Sequence, residues 1–155
     1  MKLLSKTEDQ FLFQLSELED VFLRMTLSAF PVGGQGWPGG RASGTPQAAP
    51  DAALLAESLG EVRRDQARAV DSFLKSQPPP ADGTPGRLMR LPRGDVDWML
   101  QVLNEVRVGS WYALGCPEEE DERKYHNSSE SVPHVIRYDF SGWMIAVLLA
   151  ALETP

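Results

Sequence analysis

Arg87-Leu88-Met89-Arg90-Leu91-Pro92-Arg93-Gly94 interleaves three arginines with Leu88, Met89 and Leu91 and is the compact cationic stretch of the chain. It lies within a connection, residues 77–94, that opens on Gln77-Pro78-Pro79-Pro80 and continues through the loop Ala81 to Gly86. Proline has no N–H to carry a helix onward, so a helix must stop here. Reading 77–94 as a connection leaves helices to build the core, and the expected fold class is all-α.

On the N-terminal side of that connection, Asp51 to Ser76 is expected to be helical. Leu55, Leu59, Val62, Ala69, Val70 and Phe73 share one side of it, and Glu57, Glu61, Arg64, Arg68 and Lys75 lie largely on the other. On the C-terminal side a third helix should start near Asp95, an N-cap residue type, and end at Leu114-Gly115-Cys116-Pro117, where Gly115 suits a left-handed cap. The first helix opens at Ser16-Glu17-Leu18-Glu19, a capping box in which Ser16 accepts from the Glu19 amide while the Glu19 carboxylate reaches back. Leu18, Val21, Phe22, Met25 and Ala29 follow at helical spacing, and Pro31 ends the run. Leu23, Leu27 and Phe30 fall on the opposite side, which makes this helix central or an interface.

Before it, Lys2 to Ser5 and Phe11 to Leu15 read as a small hairpin across Lys6-Thr7-Glu8-Asp9-Gln10. Val132 to Tyr138 reads as a short extended piece. The last helix should begin around Asp139 or Ser141, run to Glu153 and be the most buried element, since it is nearly all apolar from Trp143 onward. The expected architecture is one domain over residues 1–155, four helices arranged around the C-terminal one. Its connections at 31–50 and 77–94 are long, and the first holds six Gly and four Pro in twenty residues around a single bulky Trp37.

Composition narrows the function classes. With 155 residues, 42 % hydrophobic and 24 % charged, the chain is neither a wholly disordered, a collagen-like nor a multi-span membrane protein. The net charge of −7 repels nucleic-acid backbones and anionic membrane surfaces, so neither is an expected partner. A lone Cys116, and a start without an apolar leader stretch, point to the cytoplasm.

Motifs with catalytic or cofactor meaning fail on context. Gly34-Gln35-Gly36-Trp37-Pro38-Gly39 matches a dinucleotide fingerprint in letters, yet it follows a helix and contains proline. Cys116, beyond a helix C-terminus and before Glu118-Glu119-Glu120-Asp121-Glu122, is poorly placed to ionise, and His126 and His134 form no ligand pair of recognised spacing with it. No catalytic residue, metal ligand or cofactor is therefore assigned. The acidic run is a solvated loop, or it docks on Arg87, Arg90 and Arg93 within or between chains.

Arg107 is the most informative single residue. On the third helix Val96, Met99, Leu100, Leu103, Val106 and Leu114 share an apolar side, and Arg107 falls inside it. Its guanidinium either snorkels outward or is buried against a carboxylate such as Asp139 or Glu19. Trp98, Asn104, Arg107, Trp111 and Asp139 thus form the candidate structural or ligand cluster, with Tyr112 beside them.

Asp97-Trp98-Met99-Leu100, then Leu103-Asn104-Glu105-Val106-Arg107, then Leu114-Gly115, with Trp143 opening a closing apolar helix, resembles an uncharacterised bacterial family of small acidic helical proteins. That family is best known in actinobacteria and is often encoded beside the Clp protease adaptor. Leu15-Ser16-Glu17-Leu18-Glu19 fits the start of the same pattern. The resemblance covers about half the chain, and the long Gly/Pro loop departs from it. It implies a helical fold and no particular activity.

The expected function is a non-enzymatic protein-interaction or regulatory module, binding another protein or a second copy of itself through Leu23, Leu27, Phe30 and Trp37. The alternative is a small-ligand protein or enzyme with an inter-helix pocket in which Arg107 holds an anionic group.

Overall fold

Lys2–Lys6 (β1) and Gln10–Leu15 (β2) pair antiparallel across a turn in which Thr7 and Gln10 exchange hydrogen bonds. They belong to a computed structural model that describes residues 1–32, 49–77, 86–117 and 129–154. Phe11, Phe13 and Leu15 are buried while Leu12 and Gln14 are half-exposed, the two-residue alternation of a strand covered on one face.

Arg87–Pro92 is the third strand, β3, and not a connection. It pairs antiparallel with β2, Phe11 opposite Leu91, Phe13 opposite Met89 and Leu15 opposite Arg87, giving a sheet in the order β1-β2-β3. The fold is therefore mixed, a three-stranded antiparallel sheet with helices, and the all-α expectation is corrected. The three-residue spacing of the arginines hides a two-residue alternation in which Met89 and Leu91 point into the core and Arg90 and Pro92 point out. Arg87 has inward parity, but it sits at the strand's end, where its guanidinium reaches Asp20 at 3.2 Å. Gly86 admits the chain to β3 at φ 94°, and a Cβ there would lie 2.0 Å from the Leu15 carbonyl oxygen. Only glycine fits that approach.

Helix α1 (Glu17–Leu27) leaves β2 through Ser16 alone, with both halves of the expected capping box formed. Its inward residues are Leu23, Thr26 and Leu27. Phe30 beyond its end is buried as well, while Leu18 and Val21 are 60 % and 57 % exposed. The side read as an interaction surface is the core side, because the one-residue link to β2 fixes how the helix is turned toward the sheet. Trp37 lies outside the described residues.

Helix α2 (Ala49–Ser76) runs antiparallel to α3 (Val96–Ala113), as Arg63 to Glu105, Gln66 to Gln101 and Phe73 to Trp98 contacts show. Among its described side chains the apolar side is buried toward the C-terminus, at Val70 and Phe73, while Leu59 and Val62 are exposed. A 3-10 turn, Arg93–Asp95, precedes α3, and the Asp95 side chain makes no capping bond. At the other end Gly115 and Cys116 both adopt positive φ, and the Cys116 N–H donates to the Trp111 carbonyl.

Helix α4 (Val132–Glu153) starts earlier than expected, so Val132 to Tyr138 is helical and not extended. Pro133 is no obstacle in a first turn, where its missing N–H has no helical partner to lose. Nor is α4 the most buried element. Helix α3 is buried more than α4, and its Val96, Met99, Val102, Leu103 and Val106 fill the space between sheet and helices. Helix α4 packs along α3 through Phe140, Ser141, Met144, Leu148 and Ala151. Among the described residues it is the one helix long and apolar enough to cross a membrane, and 28 % of its most apolar stretch is buried by the rest of the chain.

Candidate functional site

The cluster read from the sequence is divided by the fold. Trp98 and Arg107 are nine residues apart on α3, half a rotation, so they face opposite ways. Trp98 packs edge-on against Phe73 of α2, with ring centroids 5.9 Å apart. Asn104 is exposed. Arg107 and Trp111, one turn apart, come together with Tyr138 of α4 around a hollow of about 170 Å³.

Arg107 is half-buried and has neither expected partner. Its guanidinium lies 5.1 Å from the centre of the Tyr138 ring and packs against Gly142, where a Cβ would come to 3.4 Å of Nε. The cation is held by an aromatic face and not by a carboxylate among the described residues. Glu19 pairs instead with the Met1 amino group and Ser16. Burial alone would raise the Glu19 carboxyl, but the hydrogen bonds from that amine and from Ser16 outweigh it and hold the group below the usual carboxylate range. Asp139 is exposed.

Asp139 borders a different hollow. It stands at the lip of a groove of about 300 Å³ between α1 and α4, lined also by Phe22, Ile136, Phe140 and Trp143. Phe22 meets Phe140 edge-on at 5.9 Å, and Phe140 meets Trp143 at 5.4 Å, so the floor is a continuous row of three rings. Among the described residues no lysine or arginine lines it. Trp143 is 39 % exposed, and Leu18 and Val21 extend the apolar surface along α1. Helix α4 continues it with Leu149, 46 % exposed. Phe22, Ile136, Phe140 and Trp143 were missed as site residues because an all-apolar helix reads as buried on every side. The available signal was that α1 and α4 together carry more apolar surface than one core can cover.

A second hollow, about 390 Å³, lies between the C-terminal half of α2 and the edge of β3, over Phe73 and Trp98. It is closed at one end by Gln77, whose amide accepts from the Arg90 N–H at 3.0 Å and donates to the Arg90 carbonyl at 3.2 Å. Of the cationic stretch, Arg87 joins Arg24 in bracketing Asp20, and Arg93 lies 5.9 Å over the Phe11 ring. The acidic run 118–122, the glycine string 34–39 and His126 lie outside the described residues. His134, on α4, is held below the usual imidazole range by burial and by the charge of Arg137.

No family model, curated protein or solved structure matches the chain.

Proposed function

We propose that this protein is a non-enzymatic interaction module whose α1/α4 side receives a protein partner. The observation that carries the reading is Trp143, a large indole left 39 % exposed in the wall of an aromatic-floored groove on a helix buried along one side only. Exposed contiguous apolar surface of this kind opposes solubility unless something covers it, and aromatic anchors beside pockets carry most of the energy of protein interfaces. A single cysteine suits a reducing compartment, and the acidic net charge disfavours nucleic acid as the partner.

Replacing Trp143 with a photo-crosslinking phenylalanine analogue in producing cells tests the reading, with the same analogue at exposed Arg64 on α2 as control. Discrete adducts identified by mass spectrometry from position 143 alone are expected, a doubled mass meaning a second copy. Equal or absent labelling at the two positions would remove the support.

One observation favours a second reading, an anion site at Arg107. The half-buried guanidinium borders a hollow and has no carboxylate partner among the described residues. Titration with acetate and inorganic phosphate, followed through tryptophan fluorescence, should then saturate in the wild type and not in Arg107→Leu.

A further inference from the structure

The proposal above leaves the partner open; resting on it, the geometry points to an amphipathic helix with basic ends as the occupant of the α4 side, and not to a second copy of this chain. The outward side of α4 carries Asp139, Trp143, Ala146, Leu149, Ala150 and Glu153, all exposed. Asp139 and Glu153 are the two acidic residues of the helix, neither has an ion-pair partner among the described residues, and everything between them on that side is apolar or small. They stand fourteen residues apart, about 21 Å or four turns at the rise of an α-helix. The surface is thus one helix long, with a carboxylate at each end and an apolar middle; beyond the Glu153 end the Lys6 ammonium donates to the Leu152 and Thr154 carbonyls.

The small side chains of Ala146 and Ala150 leave room for a second helix to approach closely, and the adjoining groove over Phe22 and Phe140 takes an apolar anchor side chain. A second copy fits badly. Laid antiparallel along α4 it sets Asp139 against Glu153, and laid parallel it sets each carboxylate against its equal. With a net charge of −7 on each chain, approach is opposed at long range too. A helix with an apolar stripe and a lysine or arginine near each end meets all three features, and the rim charges then select the partner and its orientation.

A displayed library of helical peptides tests this on the full chain. Four apolar anchors at helical spacing are held constant, and two end positions fourteen residues apart are varied among Lys, Gln and Glu. Binders are counted against a Trp143→Glu background whose fold is checked by circular dichroism. Lysine should outnumber glutamate at the end positions by about tenfold. The double variant Asp139→Lys, Glu153→Lys should reverse that preference. Helices selected without charge preference would overturn the basic partner while keeping the interaction reading. So would a wild-type dimer in sedimentation that Trp143→Glu dissociates, whereas Trp143-dependent binding to neutral phosphatidylcholine vesicles would overturn the protein partner altogether. No helix enriched over the Trp143→Glu background, with no self-association, would instead remove the interaction reading itself.

Discussion

Gly109 shows how tightly single positions are held. A Cβ built there would lie 2.6 Å from Cγ1 and 2.7 Å from Cβ of Val32, so the segment leaving α1 and helix α3 touch through the absence of a side chain. Gly109→Ala should destabilise by about 1–3 kcal/mol through overpacking, against the gain in helix propensity. Chemical denaturation should show part of that loss recovered in Gly109→Ala, Val32→Gly. Glu19 adds a pH dependence. Its folded carboxyl titrates below its unfolded value of 4.5, so its contribution is complete above that value and disappears as pH falls through the folded one. Glu19→Gln should therefore flatten the acid limb of the stability curve and lower stability at pH 7 by about 1 kcal/mol. At Arg107 the aromatic contact implies a cost of about 1 kcal/mol for Arg107→Leu, where a buried ion pair would have cost about 3 kcal/mol. The capping box was legible because its spacing is local. The Arg107 environment was not, since a helical wheel shows which side of α3 a residue occupies and says nothing of what α4 brings to it.

At the scale of elements, the strand β3 decides the fold class and was the least legible. Its inward set is only Met89 and Leu91, and Arg87 at inward parity breaks the pattern that would have marked it. What makes the stretch a strand is its partner β2, a contact more than seventy positions away that local pattern does not encode. The same holds for α1, where two apolar sides were visible and the choice between them belonged to the sheet. The outer edge of β3 is protected by Gln77, which satisfies both backbone groups of Arg90, and by Pro92, which has no N–H to offer. Gln77→Leu should leave that edge open. About 1 kcal/mol of stability should be lost, with concentration-dependent light scattering absent from the wild type. Unchanged scattering would mean that the edge needs no guard.

For the molecule as a whole, the one sheet and four helices of the described residues enclose a core centred on α3, while α4, the most apolar of these helices, covers that core with one side and faces outward with the other. The sequence made α4 apolar all round, and that pattern alone led to the expectation of full burial. Among the described residues the outward side of α4, with Trp143 and Leu149, is left exposed. On the proposed reading the uncovered side is where a partner docks, with Trp143 as its anchor. The most direct test is the affinity of a selected basic helix, by fluorescence anisotropy, for the wild type, for Trp143→Glu and for Leu59→Glu on exposed α2. Loss of at least about thirtyfold in Trp143→Glu, with Leu59→Glu binding as the wild type does, is the expected result. Equal affinity for all three proteins would contradict a docking surface on α4.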